Sequence, residues 1–339
     1  MVKPIEDVRA ISRIAYGFIA SKALFVALDL DLFGHLHGRA KNLEILAKAT
    51  GVSPQRLRTL LTSLVSVGLV TRADDSYANA PASDKYLVRG SPAYFGEYYR
   101  FQINRQLYPA LTCLDAGLAG NDAGLMFGGE EGLMADSRQA ESFSRAQHAG
   151  SSGPALLLAR GFDLSGRRRL LDVAGGTGAF SIALCQRNPE LTAVILDFPN
   201  VVALASSFIA ESGLSGRITT IGANALSVEW PGNQDIVLLS YLLSAVPEGD
   251  IDQLLVKGLT SLAPGGLLII HDFMLDDDQL GPDLAAHWFL LNLALNTTGI
   301  SFSTAELSQR LALAGFAKVS ARDHIHDITK LVIAEKALG

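Results

Sequence analysis

The chain has 339 residues, 49% apolar and 18% charged, with a formal net charge of −6. It holds enough apolar material for one large core or two moderate ones, and the acidic balance argues against the basic face that nucleic-acid binding requires. Cys113 and Cys185 are too few for a disulfide framework or a metal site; the opening Met1–Asp7 lacks a charged-then-apolar leader; and no run of eighteen uninterrupted apolar residues occurs. The expectation is a cytoplasmic protein with no metal, no nucleic acid and no membrane as partner.

Residues 1–90 read as helices followed by a hairpin. Apolar residues recur at helical spacing from Ala20 to Leu36, and a second helix beginning near Asn42 stops at Gly51. Ser53 is placed as N-cap and Pro54 at the first turn of the next helix, with Leu57, Leu60, Leu61, Leu64 and Val65 as its apolar stripe. Gly68–Arg72 and Asp74–Tyr77 then read as two short strands around a turn. Helix, turn, helix and wing together resemble a winged helix. The second helix offers only Arg56 and Arg58 as phosphate contacts, and duplex affinity needs more. A dimerisation module is therefore favoured over a DNA reader, with Ile14, Phe18, Leu24, Phe25 and Val26 as interface candidates.

Residues 91–160 read as a helical linker that forms part of a pocket. Tyr94, Phe95, Tyr98, Tyr99, Phe101 and Tyr108 crowd together with Arg100 and Arg105 among them, a mix that suits either a core or the wall of a pocket for an acidic small molecule. Gly117–Gly132 is a glycine-rich connection.

Residues 161–339 alternate strand and helix, with strands at 169–174, 193–197, 217–222, 235–240 and 266–273, and a closing pair near 317–323 and 328–335. Alternation of this kind implies an α/β fold with a mostly parallel, Rossmann-like sheet. The last two strands are too close for a crossover and are expected to form an antiparallel hairpin. The first strand ends in Asp172 and runs into Gly175, Gly176 and Gly178, and the second ends in Asp197. Glycines that let backbone approach a ligand, with an acid about twenty residues on, describe a nucleoside pocket. Ser181 stands where a dinucleotide fingerprint needs its third glycine, which shifts the reading from NAD to S-adenosylmethionine.

Asp172–Gly178, Leu196–Val201 and Leu262–Gly266 carry a resemblance to the two-domain small-molecule O-methyltransferases, which include plant caffeate-type and bacterial phenazine and anthracycline-tailoring enzymes. The resemblance runs nearly end to end. It implies a homodimer joined through a mostly helical, winged-helix amino-terminal domain, with S-adenosylmethionine as methyl donor and S-adenosylhomocysteine as product. Position by position it also implies a cofactor site of Ser151, Asp172, Gly175, Gly176, Gly178, Asp197, Phe198, Asn224, Ala225 and Ser240. Asp197 would take the ribose hydroxyls, and Asn224 would stand for the usual acid at the adenine.

The pattern breaks where relatives place a histidine base. Ser244 occupies that position, and its two supporting acids fall on Asp272 and Ser301. A serine cannot replace a base that contributes about 10²–10⁴-fold, and a thioether acceptor, having no proton to lose, needs none. Tyr98–Pro109 and Phe143–Ser151 resemble the bacterial enzymes that S-methylate 4-methylthio-2-hydroxybutyrate on the route to dimethylsulfoniopropionate. On this basis S-methylation of a small thioether acid is narrowly favoured over O-methylation of a hydroxylated aromatic or polyketide metabolite. A ligand-sensing DNA regulator with a degenerate methyltransferase domain is the alternative of another class. Candidate acceptor contacts are Tyr98, Arg105, Tyr108, Arg145, Gln147, Trp288 and Asn292, with Arg100 as a further cation. His148, His271 and Asp272 are the catalytic candidates.

Overall fold

The computed structural model describes residues 4–120, 136–296 and 301–338, so most of the Gly117–Gly132 connection lies outside the described residues, as does the side chain of Asn296. The chain divides into two units, Lys3–Tyr108 and Pro109–Gly339. The division falls inside the stretch 91–160 that the sequence suggests as a separate linker.

In the amino-terminal unit, Asn42 closes the short strand β1 (Lys41–Asn42) and caps helix Leu43–Thr50 by accepting from the Ile45 amide at 3.0 Å. Gly51 ends that helix with φ of 71°, a conformation glycine adopts freely. Pro54 opens helix Pro54–Ser66 as expected, but the Ser53 side chain makes no capping bond. Leu57, Leu61 and Leu64 are fully buried against Leu32, Phe33 and Leu46, while Leu60 and Val65 are half-buried. Strands β2 (Val70–Ala73) and β3 (Ser76–Asn79) form the wing, and β3 lies between β1 and β2 in an antiparallel sheet.

Helices Val8–Ala15 and Gly17–Asp29 turn Val8, Ile11, Ile14 and Phe18 outward, whereas Phe25 packs inward on Tyr108 with ring centroids 5.7 Å apart. Together, Val8–Asp29 is long and apolar enough by length and composition to cross a membrane. A search for uninterrupted apolar runs misses it because Arg9, Ser12, Arg13, Ser21 and Lys22 break the run without lowering its mean hydropathy below that of a span. Tyr98–Leu107 is π-helical, and Phe95, Tyr98 and Tyr99 pack on one another at 4.9–5.8 Å, which makes this cluster part of the packing of its own unit.

The second unit is built on seven strands: β4 (Arg169–Val173), β5 (Thr192–Asp197), β6 (Ile218–Gly222), β7 (Gln234–Ser240), β8 (Leu262–Asp272), β9 (Lys318–Ile325) and β10 (Thr329–Glu335). Their spatial order is β6-β5-β4-β7-β8-β10-β9, with the first five parallel and β10 antiparallel to both neighbours. Leu170, Leu171 and Val173 on β4 and Ile236–Leu239 on β7 have no exposure, the continuous apolar run expected of central parallel strands covered on both faces. Strand order reverses between β4 and β7, so the crevice at their carboxyl ends is where an α/β sheet of this kind takes its ligand. Ala174 (φ 54°) and Tyr241 (φ 56°) sit at those two ends, in a left-handed conformation that is costly for residues with a Cβ and is concentrated at functional sites.

Helix Ser137–Gly161 starts at Asp136, whose carboxylate accepts from the Arg138 and Gln139 amides at 3.0 and 2.9 Å. It packs on helices Ala179–Arg187 and Pro199–Glu211. Helix Leu114–Leu118 lies equally tightly on helix Asp283–Asn296, since a Cβ at Gly117 would come within 1.9 Å of the Leu293 carbonyl oxygen. Gly117→Ala is expected to lower unfolding stability by about 1–3 kcal/mol, the usual cost of overpacking. Gly216→Ala, where an added Cβ meets nothing within 4 Å, should change it by less than about 0.5 kcal/mol; chemical denaturation of both variants checks this.

Candidate active site

At the end of β4 the Asp172 carboxyl turns beneath the glycine loop and is buried. One oxygen accepts from Ser181 Oγ at 2.6 Å, and the other has no hydrogen-bond partner among the described residues. Gly175 lies directly over it, and a Cβ there would approach the carboxyl carbon to 2.7 Å. Ser181, which breaks the dinucleotide pattern, thus steadies the acid, something a glycine could not do. Gly178, at φ 81°, turns the chain into helix Ala179–Arg187.

Asp197, at the end of β5, joins the same loop. Its carboxylate accepts from the Gly176 amide at 2.8 Å and the Phe198 amide at 2.7 Å. A carboxylate has about four acceptor positions, so two remain for a vicinal diol. Burial pushes Asp172 up to about 7, helped by the nearby Asp197, and pushes Asp197 up to about 6 against its two amide bonds. An unpaired buried oxygen and two acids reluctant to ionise make a cradle that favours a cationic ligand bearing hydroxyls. The residues therefore fit the nucleoside sulfonium that the sequence resemblance implies.

At the histidine position of relatives, Ser244 Oγ donates to Asp272 at 2.6 Å, and the Ser244 and Phe273 amides donate to the same carboxylate at 3.0 and 2.9 Å. Asn292 Nδ2 donates to the Ser244 carbonyl at 2.5 Å. Asp272 has no exposure and burial pushes it up to about 6, so it braces the turn after β7 and presents no free oxygen edge. His271 is equally buried. Its Nδ1 meets Ser240 Oγ and its Nε2 meets Thr329 Oγ1, each at 2.9 Å, stitching together β7, β8 and β10. Burial holds its pKa well below the usual histidine value. Each of these two β8 side chains is engaged by the hydrogen bonds that hold the strand ends together.

The O-methyltransferase domain model matches residues 127–317, and the O-methyltransferase dimerisation domain model matches 12–89. The chain belongs to the O-methyltransferase family. It is 32% identical over 307 residues to a 3-hydroxy-5-methyl-1-naphthoate 3-O-methyltransferase of Streptomyces sahachiroi, covering 90% of this chain and 88% of that protein. It is 28% identical over 311 residues to the tetracenomycin polyketide synthesis 8-O-methyltransferase of Streptomyces glaucescens, covering 91% of each. The fold is similar to that of human N-acetylserotonin methyltransferase, solved with S-adenosylmethionine, with a TM-score of 0.83, 22% identity and coverage of 99% and 100%. The dimerisation domain covers most of the helical stretch whose apolar residues face outward and supports homodimer formation.

The other candidates of this O-methyltransferase divide by what they already bind. Asn224 Oδ1 accepts from its own Leu226 amide at 2.9 Å, which turns its NH₂ into the free group. The Ala225 carbonyl is taken by Trp230 Nε1 and Lys257 Nζ. Ser240 is committed to His271. Ser151 and Gln147, both half-buried, make no side-chain hydrogen bond among the described residues. Arg105 pairs with Asp29, Arg100 with Asp29 and Glu97, and Arg145 with Glu141. Tyr108 and Tyr98 sit within the amino-terminal unit's aromatic packing. Trp288 stacks on Phe273 at 4.5 Å and 19°, its Nε1 buried without a partner among the described residues, and Asn292 supports the Ser244 turn. His148 meets Thr177 Oγ1 at 2.6 Å.

Sequence reasoning missed Thr177, Phe208, Lys257 and Thr329. Lys257 donates to three carbonyls, of Ala225, Leu226 and Val228, at 2.6–2.8 Å and so shapes the loop carrying Asn224. No spacing rule signals such partners, because they come from distant elements. Ser244→Ala is expected to destabilise the protein by about 1–3 kcal/mol by leaving Asp272 buried and less well bonded, as read by chemical denaturation.

Proposed function

We propose that this O-methyltransferase moves a methyl group from S-adenosylmethionine to a ring hydroxyl of a small aromatic or polyketide acceptor that reaches the site already ionised. The cofactor supplies a methyl group on a positively charged sulfur, open to in-line displacement. The protein's part is to bind and align, and alignment alone contributes roughly 7–11 kcal/mol. Asp197 holds the ribose hydroxyls, and Asp172, beneath Gly175, faces the cationic half.

The observation that carries this reading is the Ser244–Asp272 brace. With no base at that position, a hydroxyl must shed its proton to water beforehand, which an electron-poor polycyclic phenol does readily. The relatives named for naphthoate and tetracenomycin substrates support the same acceptor class. S-methylation of a thioether acid lacks its anchor, since Arg100, Arg105 and Arg145 each already pair with an acid.

At saturating cofactor, kcat/KM for such a phenol should rise about tenfold per pH unit up to the acceptor's own pKa and then level off, as ionisation of the acceptor dictates. Ser244→Ala should lower kcat far less than the about 10²–10⁴-fold expected for loss of a base. A sulfonium product from methylthiohydroxybutyrate, with naphthol and anthraquinone acceptors left unmethylated, would overturn the proposal.

Cofactor affinity should carry a pH signature of Asp197. Its folded, ligand-free pKa is raised to about 6, and hydroxyl donors bind the ionised form. Asp172, raised to about 7, adds a step of its own, so affinity is full only above about pH 8, and the Asp197 step weakens it further below about pH 6. Asp197→Asn should weaken binding and flatten that slope, as titration calorimetry with S-adenosylhomocysteine can show.

A further inference from the structure

We propose that His148 and Thr177 form a positioning pair that locks helix Ser137–Gly161 onto the glycine loop and thereby sets cofactor affinity, taking no part in proton transfer. The inference rests on the cofactor reading above and extends it to the side chains that hold the glycine loop in place.

Three elements meet at the imidazole. Its Nδ1 lies 2.6 Å from Oγ1 of Thr177, the buried residue between Gly176 and Gly178. Its ring lies over Phe208 with centroids 4.1 Å apart and planes 30° from parallel. Phe208 belongs to helix Pro199–Glu211, which begins two residues after Asp197, and the Arg145 guanidinium also lies over the Phe208 ring at 5.6 Å. Ser152 Oγ donates to the His148 carbonyl at 2.7 Å, steadying the turn that carries the imidazole. One side chain thus ties the helix bearing Gln147 and Ser151 to both parts of the Asp172–Asp197 cradle.

The chemistry of the ring points the same way. Burial and the positive charge of Arg145 push His148 down to about 4, so it is neutral at working pH and too weak a base for a phenol of pKa near 10, an uphill transfer of about 10⁶-fold. As a tether it matters more. Glycine loses more conformational freedom on ordering than any other residue, and a loop with Gly175, Gly176 and Gly178 would take that loss on binding unless it were already pinned.

The test is calorimetric binding of S-adenosylhomocysteine to the full chain. Wild-type protein that binds no S-adenosylhomocysteine would refute the cofactor reading itself, and the proposal with it. Given wild-type binding, Thr177→Val and His148→Phe should each raise Kd about three- to tenfold, the size of one hydrogen bond. The double variant should be no weaker than the weaker single, and Thr177→Ser should return Kd to within about twofold, since the hydroxyl is what the pair uses. In turnover, KM for S-adenosylmethionine should follow Kd while kcat stays within about threefold. Hydrogen exchange at amides 174–178 of the ligand-free Thr177→Val protein should be faster than in wild type. Thr177→Val is nearly isosteric and keeps the test open if His148→Phe does not fold. Unchanged Kd in Thr177→Val, additive losses in the double variant, or a collapse of kcat at constant KM in His148→Phe would overturn the assignment.

Discussion

The buried carboxyl of Asp172 is the constraint from which the rest of the site follows. It lies on the central strand β4, buried from solvent, with Ser181 on one oxygen, and the chain above it can carry no side chain at 175. A carboxyl removed from water resists ionisation until a cation or a donor arrives. Asp197 lies near enough to raise it further, and its own charge is shared with the Gly176 amide. Two acids and one loop therefore form a single electrostatic unit, which binding of a cationic nucleoside relieves.

On the far side of the switch point the same logic serves a different end. Asp272 and His271, adjacent at the end of β8, are both buried and both saturated, the first by Ser244 and two amides, the second by Ser240 and Thr329. A buried polar group whose bonds are all made within the protein rigidifies its surroundings and has little left to give a substrate. The residues that look most catalytic by type here hold the strand ends in place. Methyl transfer tolerates this because its electrophile is activated by the cofactor, and alignment supplies much of the remaining barrier reduction.

Much of the fold was legible in the chain because its signals are local. The glycine stops, Pro54 at a first helical turn, the apolar stretches of β4, β7 and β8, and a connection too short for a crossover before β10 each act over a few residues. The cofactor loop was legible for the same reason. Ser53 matches an N-cap by residue type and position, although its side chain makes no capping bond. Arg100, Arg105 and Arg145 look like free cations in sequence, while Asp29, Glu97 and Glu141 pair with them in space.

The sequence by itself determined the order of strands and helices, the glycine turn after β4, the acids at 172 and 197 beside it, and the serine at position 244. These depend on periodicity, backbone freedom and residue type, all of which are written locally. Tertiary structure alone decided which polar groups were still available. His148 was free in sequence but is bound to Thr177, His271 is spent between Ser240 and Thr329, and Asn224 has turned its oxygen to its own backbone. A side chain's chemistry depends on burial and on partners tens of residues away, and only folding brings those partners within hydrogen-bonding distance.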